Sequence, residues 1–132
     1  MAGLLKNWAD YTAGKRERHV DVENVVGALT TVTAPTYSAS ITVDASVQSY
    51  VKITATDGSA FTINNPTNPK AGMSLIFDVV NGSGTTLGTI TWGTAFKSAG
   101  SFTNPADAKR RTISFYFDSV AWVETSRAAA DI

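Results

Sequence analysis

The chain has 132 residues, about one domain's length, and is 43% hydrophobic and 17% charged, against a typical charged share of about 25%. Its 11 basic and 11 acidic residues cancel to a formal net charge of zero. That excludes the basic excess of a nucleic-acid binder and leaves little self-repulsion to oppose association. Cysteine is absent, so disulfide scaffolds, thiolate zinc sites and cysteine nucleophiles are excluded.

The opening stretch, MAGLLKNWADYTAGKRERH, has no apolar signal region, and no later run approaches the roughly 18 apolar residues of a membrane helix. Synthesis in the cytoplasm and no membrane partner are therefore expected. Leu4, Trp8 and Tyr11, with Leu5 beside them, fall on one face of a short predicted helix. Val22, Val25, Val26 and Leu29 predict a second, with Asp21 as its N-cap and the charged run KRER between the two. Each run is about two turns, too short to be stable alone in water, so both must dock. They dock either on their own domain or, as an arm, on a neighbouring subunit or another surface. Residues 1–35 are read as that arm, helical or extended, and these eight apolar residues are its candidate partner-binding positions.

From residue 36 the composition turns to Thr, Ser, Val, Ile, Gly and aromatics, and from Ser40 the period becomes two. In VQSYVKITA, Val47, Ser49, Val51, Ile53 and Ala55 share a face. Asp57-Gly58 makes a turn before the short strand Phe61-Thr62-Ile63, and NNPTNPKAG is a loop. MSLIFDVV follows, with Met73, Leu75, Phe77 and Val79 on one face; Ile76 and Val80 on the other predict a central strand. After the turn Asn81-Gly82-Ser83-Gly84 come a strand from Gly88 to Trp92 and a loop anchored by Phe96 and Phe102. Two last strands, Arg111 to Phe117 and Ala121 to Thr125, are joined by a tight Asp118-Ser119-Val120 hairpin. Seven or eight strands at roughly eight-to-twelve-residue spacing predict an all-β sandwich, jelly-roll-like, over residues 36–132. No internal repeat is evident in the sequence. Trp92 and Trp122 are expected to close the core, one of them alternatively lying at an interface.

Catalytic chemistry finds no foothold. The single histidine, His19, lies in the charged connector, away from any serine elbow. Asp57, Asp78, Asp107 and Asp118 read as turn residues or exposed strand positions and not as a glycosidase pair. One histidine without cysteines cannot build a zinc site, no calcium loop is present, and NGSG lacks the lysine and helix of a phosphate loop. Lys109, Arg110 and Arg111 read as charges guarding a strand end. Neither an enzyme nor a cofactor is expected.

Residues 56–130 resemble a module of tailed-bacteriophage virion proteins. The resemblance rests on the order of its parts: an Asp-Gly turn, Phe-Thr-Ile, Asn-Pro-Thr-Asn-Pro, an Asn-Gly-Ser-Gly turn, Thr-Ile-Thr-Trp-Gly, Phe-Lys and the closing Ala-Trp-Val-Glu hairpin. Asp118-Ser119-Val120 departs from the glycine-containing turn expected there. The resemblance implies an oligomeric β-sandwich in a capsid decoration (cement) protein or a tail, collar or fibre appendage. A chain this short has no room for a fibre shaft, so decoration is the first expectation. In that case the sandwich forms a homotrimer on the capsid surface, and the arm lies on the major capsid protein or another virion protein. The second is an appendage, structural or adhesive. A third, of a different class, is a carbohydrate-binding module, for which Tyr37, Tyr50, Trp92 and Tyr116 are candidate contacts.

Overall fold

A computed structural model describes residues 32–132. The arm positions Leu4, Leu5, Trp8, Tyr11, Val22, Val25, Val26 and Leu29, and His19, lie outside them. The described chain is all-β, as expected, with nine strands: β1 (Val32–Thr33), β2 (Ser40–Ile41), β3 (Tyr50–Ala55), β4 (Phe61–Ile63), β5 (Ser74–Asn81), β6 (Ile90–Trp92), β7 (Phe96–Lys97), β8 (Arg110–Phe117) and β9 (Trp122–Arg127).

The strands form a six-stranded sheet, ordered β1-β3-β5-β8-β9-β7, and a three-stranded sheet, ordered β2-β4-β6. From β1 to β6 the chain alternates between the two. Each circuit lays one strand on each sheet, parallel to the strand from the circuit before. This first half is therefore a three-turn coil, a connectivity that a jelly roll of antiparallel hairpins does not have. A chain that leaves for the other sheet and returns from the same side can only pair in parallel. From β7 onward it stays in the large sheet, where β8 pairs antiparallel with both β5 and β9. The first strand, Val32–Thr33, lies just upstream of residue 35, so the sheet begins within the stretch assigned to the arm.

The coil carries a structural repeat. Ser40-Ile41, Thr62-Ile63 and Thr91-Trp92 stack in register across the small sheet, as Val32, Tyr50 and Ile76 do across the large one. The loops between successive turns differ in length, so no fixed sequence period announces it.

One core lies between the sheets. The large sheet supplies Val51, Ile53, Ala55, Leu75, Phe77, Val79, Ile113, Phe115 and Trp122, and the small sheet supplies Ile41, Phe61 and Ile63. Alternate residues point inward because the strand period is two: β3 buries Val51, Ile53 and Ala55 and turns Tyr50, Lys52 and Thr54 outward. β5 is central, between β3 and β8, as its two-faced hydrophobicity predicts. Val47, by contrast, is exposed in the turn before β3. Phe77 touches Trp92, Phe96 and Phe115 edge-on, with centroid distances of 5.2, 5.6 and 6.2 Å. Rings in that geometry contribute about 0.5–1.5 kcal/mol per pair beyond their buried area.

The small-sheet strands are too short for ladder bonds alone, and side chains clamp them. Asn64 Nδ2 donates to Ser40 Oγ and Thr42 Oγ1 in the first turn of the coil, both at 2.8 Å. Asn65 Oδ1 accepts from Ala95 N at 2.8 Å, after the third turn. Close approach at β6 requires glycine: a Cβ on Gly93 would lie 2.2 Å from Asn65 Oδ1 and 2.6 Å from its backbone nitrogen.

Candidate functional site

The outer face of the large sheet is the broadest continuous surface that the strands present. It carries Tyr50, Lys52 and Thr54 of β3, Ile76, Asp78 and Val80 of β5, and Arg110, Thr112, Ser114 and Tyr116 of β8, in register across the central strands. Ile76 and Tyr116 stand 39% and 41% exposed on its central strands β5 and β8. A hydroxyl cluster lies beside them, where Ser114 Oγ meets Thr125 Oγ1 and Ser126 Oγ at 2.8 Å each. A bulge between Ser114 and Phe115 brings both β9 hydroxyls within reach of the one serine.

Asp78 organises this face. Period-two alternation points it outward, yet its side chain is 0% exposed. Tyr50 OH donates to Oδ2 at 2.7 Å, Arg110 Nε donates to Oδ1 at 3.1 Å, and Arg110 Nη2 also donates to Oδ2. The phenol, guanidinium and carboxylate close a triangle, since Arg110 Nη2 also donates to Tyr50 OH at 3.2 Å. Hydrogen bonding to the Asp78 carboxylate, aided by burial and like charge, holds the Tyr50 phenol above its ordinary range. Asp78 is therefore a buried ion-pair partner, which corrects its reading as a turn or exposed strand residue. Burying a carboxylate is tolerable only with this degree of satisfaction.

The other carboxylates do turn and staple work. Asp118 Oδ1 accepts from the Val120 and Ala121 amides at 2.8 and 2.7 Å, which holds its carboxyl below the usual range. Asp57 Oδ1 likewise accepts from Ser59 N at 2.8 Å and from Tyr37 OH at 3.1 Å, and its carboxyl is lowered, chiefly by Ser59. The basic run is split: Arg110 goes to Asp78 and Arg111 to Asp131. Asp131 also accepts from Ala106 N at 3.0 Å, tying the C-terminal segment to the loop before β8. Among the described residues no group of three His, Cys, Asp or Glu side chains could hold a metal ion.

The four aromatic candidates for sugar contact do not form a row. Tyr37 is tied to Asp57 and meets Phe61 edge-on at 5.3 Å. Tyr50 is committed to the Asp78–Arg110 network, and Tyr116 is on β8, paired with Ser74. Trp92 faces inward from the small sheet against Phe77, Phe96 and Phe102. Trp122 is fully buried against Phe117, so both tryptophans pack into the core, Trp92 from the small sheet and Trp122 from the large one.

Two clefts flank the core. One, of about 550 Å³, lies between the turn at 45–49 and the loop 70–74. The other, of about 540 Å³, lies between β6 and the segment 98–104, lined by Trp92, Phe102, Thr103 and Asn104 among others. The far wall of the second is pinned to β9. Glu124 Oε2 accepts from Ala99 N at 2.6 Å, and Arg127 donates to the carbonyls of Ser101 and Gly100 at 2.8 and 3.2 Å. The ion pair between the two holds the Glu124 carboxyl below its usual range and raises Arg127. Neither the pinned wall nor the Asp78 triangle is legible locally, because the partners are far apart in sequence. The one available signal was an unpaired acidic residue inside an otherwise apolar strand.

No family model, curated protein or solved structure matches this chain.

Proposed function

We propose that the protein is a non-enzymatic structural component of a bacteriophage virion, a capsid decoration protein that stabilises the head. The observation that carries this reading is the outer face of the large sheet. It is broad and exposes Ile76 and Tyr116 over two central strands, and its charges are Lys52 and the paired Asp78 and Arg110. A face of this kind gains free energy when covered by a neighbouring subunit. Asp78, the one carboxylate on it, is already neutralised by Arg110, so covering that carboxylate leaves no unpaired buried anion. The zero net charge and the order of motifs shared with virion modules support the same reading. The partners are further copies of the chain, as a trimer, and the major capsid protein, with the residues before β1 as the arm that engages the latter.

Immunogold labelling of intact virions made by a host carrying this gene tests the assignment. Gold over the head is the expected result, and Ile76→Lys combined with Tyr116→Lys should remove it while the purified protein stays folded. Gold confined to the tail or neck would transfer the protein to an appendage role. Virions without gold would overturn the assignment.

A further inference from the structure

β6 is the last strand of the small sheet and pairs with β4 and with no other strand among the described residues; the cleft lies between it and residues 98–104. Its lining is mixed in a particular way: Thr89, Ser98, Ser101, Thr103 and Asn104 bring hydroxyl or carboxamide groups, Trp92 and Phe102 bring aromatic rings, and no lining residue is charged. The far wall is held in place from behind by Glu124 and Arg127, so the cleft is formed in advance of any ligand.

Two polar groups of the lining residues are incompletely used among the described residues. Trp92 Nε1 is buried and has no hydrogen-bond partner among the described residues. An unpaired buried donor is costly, and few native structures keep one without a reason. Asn104 spends its nitrogen on the carbonyls of Gly88 and Leu87, at 2.8 and 3.3 Å. That fixes the orientation of its carboxamide and leaves Oδ1 with no partner among the described residues.

We infer that the cleft between β6 and residues 98–104 is a binding site for a neutral saccharide. The ligand needs hydroxyls that can both donate, to Asn104 Oδ1, and accept, from the threonine and serine hydroxyls. It also needs apolar C–H faces to lie on Phe102 and Trp92. It carries no charge, because the lining offers no counter-charge. Phe102 packs edge-on to Trp92 at a centroid distance of 5.5 Å. An extended peptide adding a strand to β6 is the rival occupant. The hydroxyl-rich lining favours the sugar, since a peptide strand is held by main-chain bonds and apolar side-chain pockets. The site does not depend on a capsid location.

The test uses the whole ¹⁵N-labelled chain and follows its three tryptophan indole N–H signals, with Trp92 assigned by Trp92→Phe. The probes are maltotriose, chitotriose and lactose, with trigalacturonate as the charged comparator and acetyl-Thr-Val-Thr-Val-amide as the strand mimic. The expected result is a saturable shift of the Trp92 indole signal with at least one neutral sugar at millimolar concentration, while the Trp122 signal stays fixed. Thr103→Val, which removes one exposed hydroxyl and leaves the fold intact, should weaken that binding about tenfold. No Trp92 shift with any of the three neutral sugars would overturn the inference. So would a response to the peptide or the acidic sugar alone, or a sugar response indifferent to Thr103→Val.

Discussion

The large and small sheets share one chain in alternation, yet they are held by different means. In the large sheet β5 and β8 are eight residues each and pair over seven registered positions. Backbone ladder and core burial there reinforce each other. In the small sheet the strands are two or three residues long, and cohesion depends on side-chain clamps from Asn64 and Asn65 and on the close approach at Gly93. The long strands gain stability from many small, redundant contacts. The short ones depend on a few specific contacts, so single substitutions should discriminate between the two.

The largest expected effect lies where the sheets meet. Phe77→Ala removes a fully buried ring shared by both and should cost about 3–5 kcal/mol, read as a lowered urea midpoint with an unchanged slope. Arg110→Ala tests the large sheet alone. It strands Asp78 in a buried position with only Tyr50 left, and should cost about 3 kcal/mol; a loss under about 0.5 kcal/mol would mean that the carboxylate escapes to water. Gly93→Ala tests the small sheet. The added Cβ collides with Asn65 backbone as well as side chain, so about 1–3 kcal/mol of destabilisation is expected, with hydrogen exchange accelerated in β4 and β6 before β5 and β8.

The hairpin between β8 and β9 sharpens the contrast from the opposite direction. Ser119 sits at φ 88°, a region favouring glycine, so Ser119→Gly should stabilise by about 1 kcal/mol and raise the melting temperature. The smallest effect is electrostatic. Asp44, Asp57, Asp118 and Asp131 all have carboxyls held below their ordinary range by hydrogen bonds in turns and at the C-terminal staple. A depressed folded-state pKa contributes stability above the unfolded value, about 3.9, and loses it as pH falls through the folded values. Thermal melts from pH 6 downward should therefore show a gradual loss of stability beginning near pH 4, with Asp118→Asn flattening part of the slope. Failure of that variant to change the slope would place the loss elsewhere.

These contrasts also mark what was legible without coordinates. Alternation in VQSYVKITA and MSLIFDVV named the buried residues of β3 and β5 because a strand's two faces are a local property. Asp118-Ser119-Val120 was recognisable as a tight turn for the same reason. The coil was not legible: parallel pairing joins residues a full circuit apart, and its loops vary in length. The Trp92 cleft was only half visible. Its tryptophan stood out, but its far wall depends on Arg127 reaching the Ser101 carbonyl, a contact that no neighbouring residue foretells.

By itself the sequence determined the all-β class, the long strands β3, β5, β8 and β9, the turn chemistry and most of the apolar side chains those strands bury. Each follows from backbone preference and hydrophobic period over a few residues. β2 and β7 were not read as strands. Only the tertiary structure decided that successive strands alternate between two sheets, that Asp78 is buried with Arg110 and Tyr50, and that Trp92 and Phe102 line an uncharged cleft beside β6. Those outcomes depend on which distant segments meet, and that is decided by the packing of the whole core.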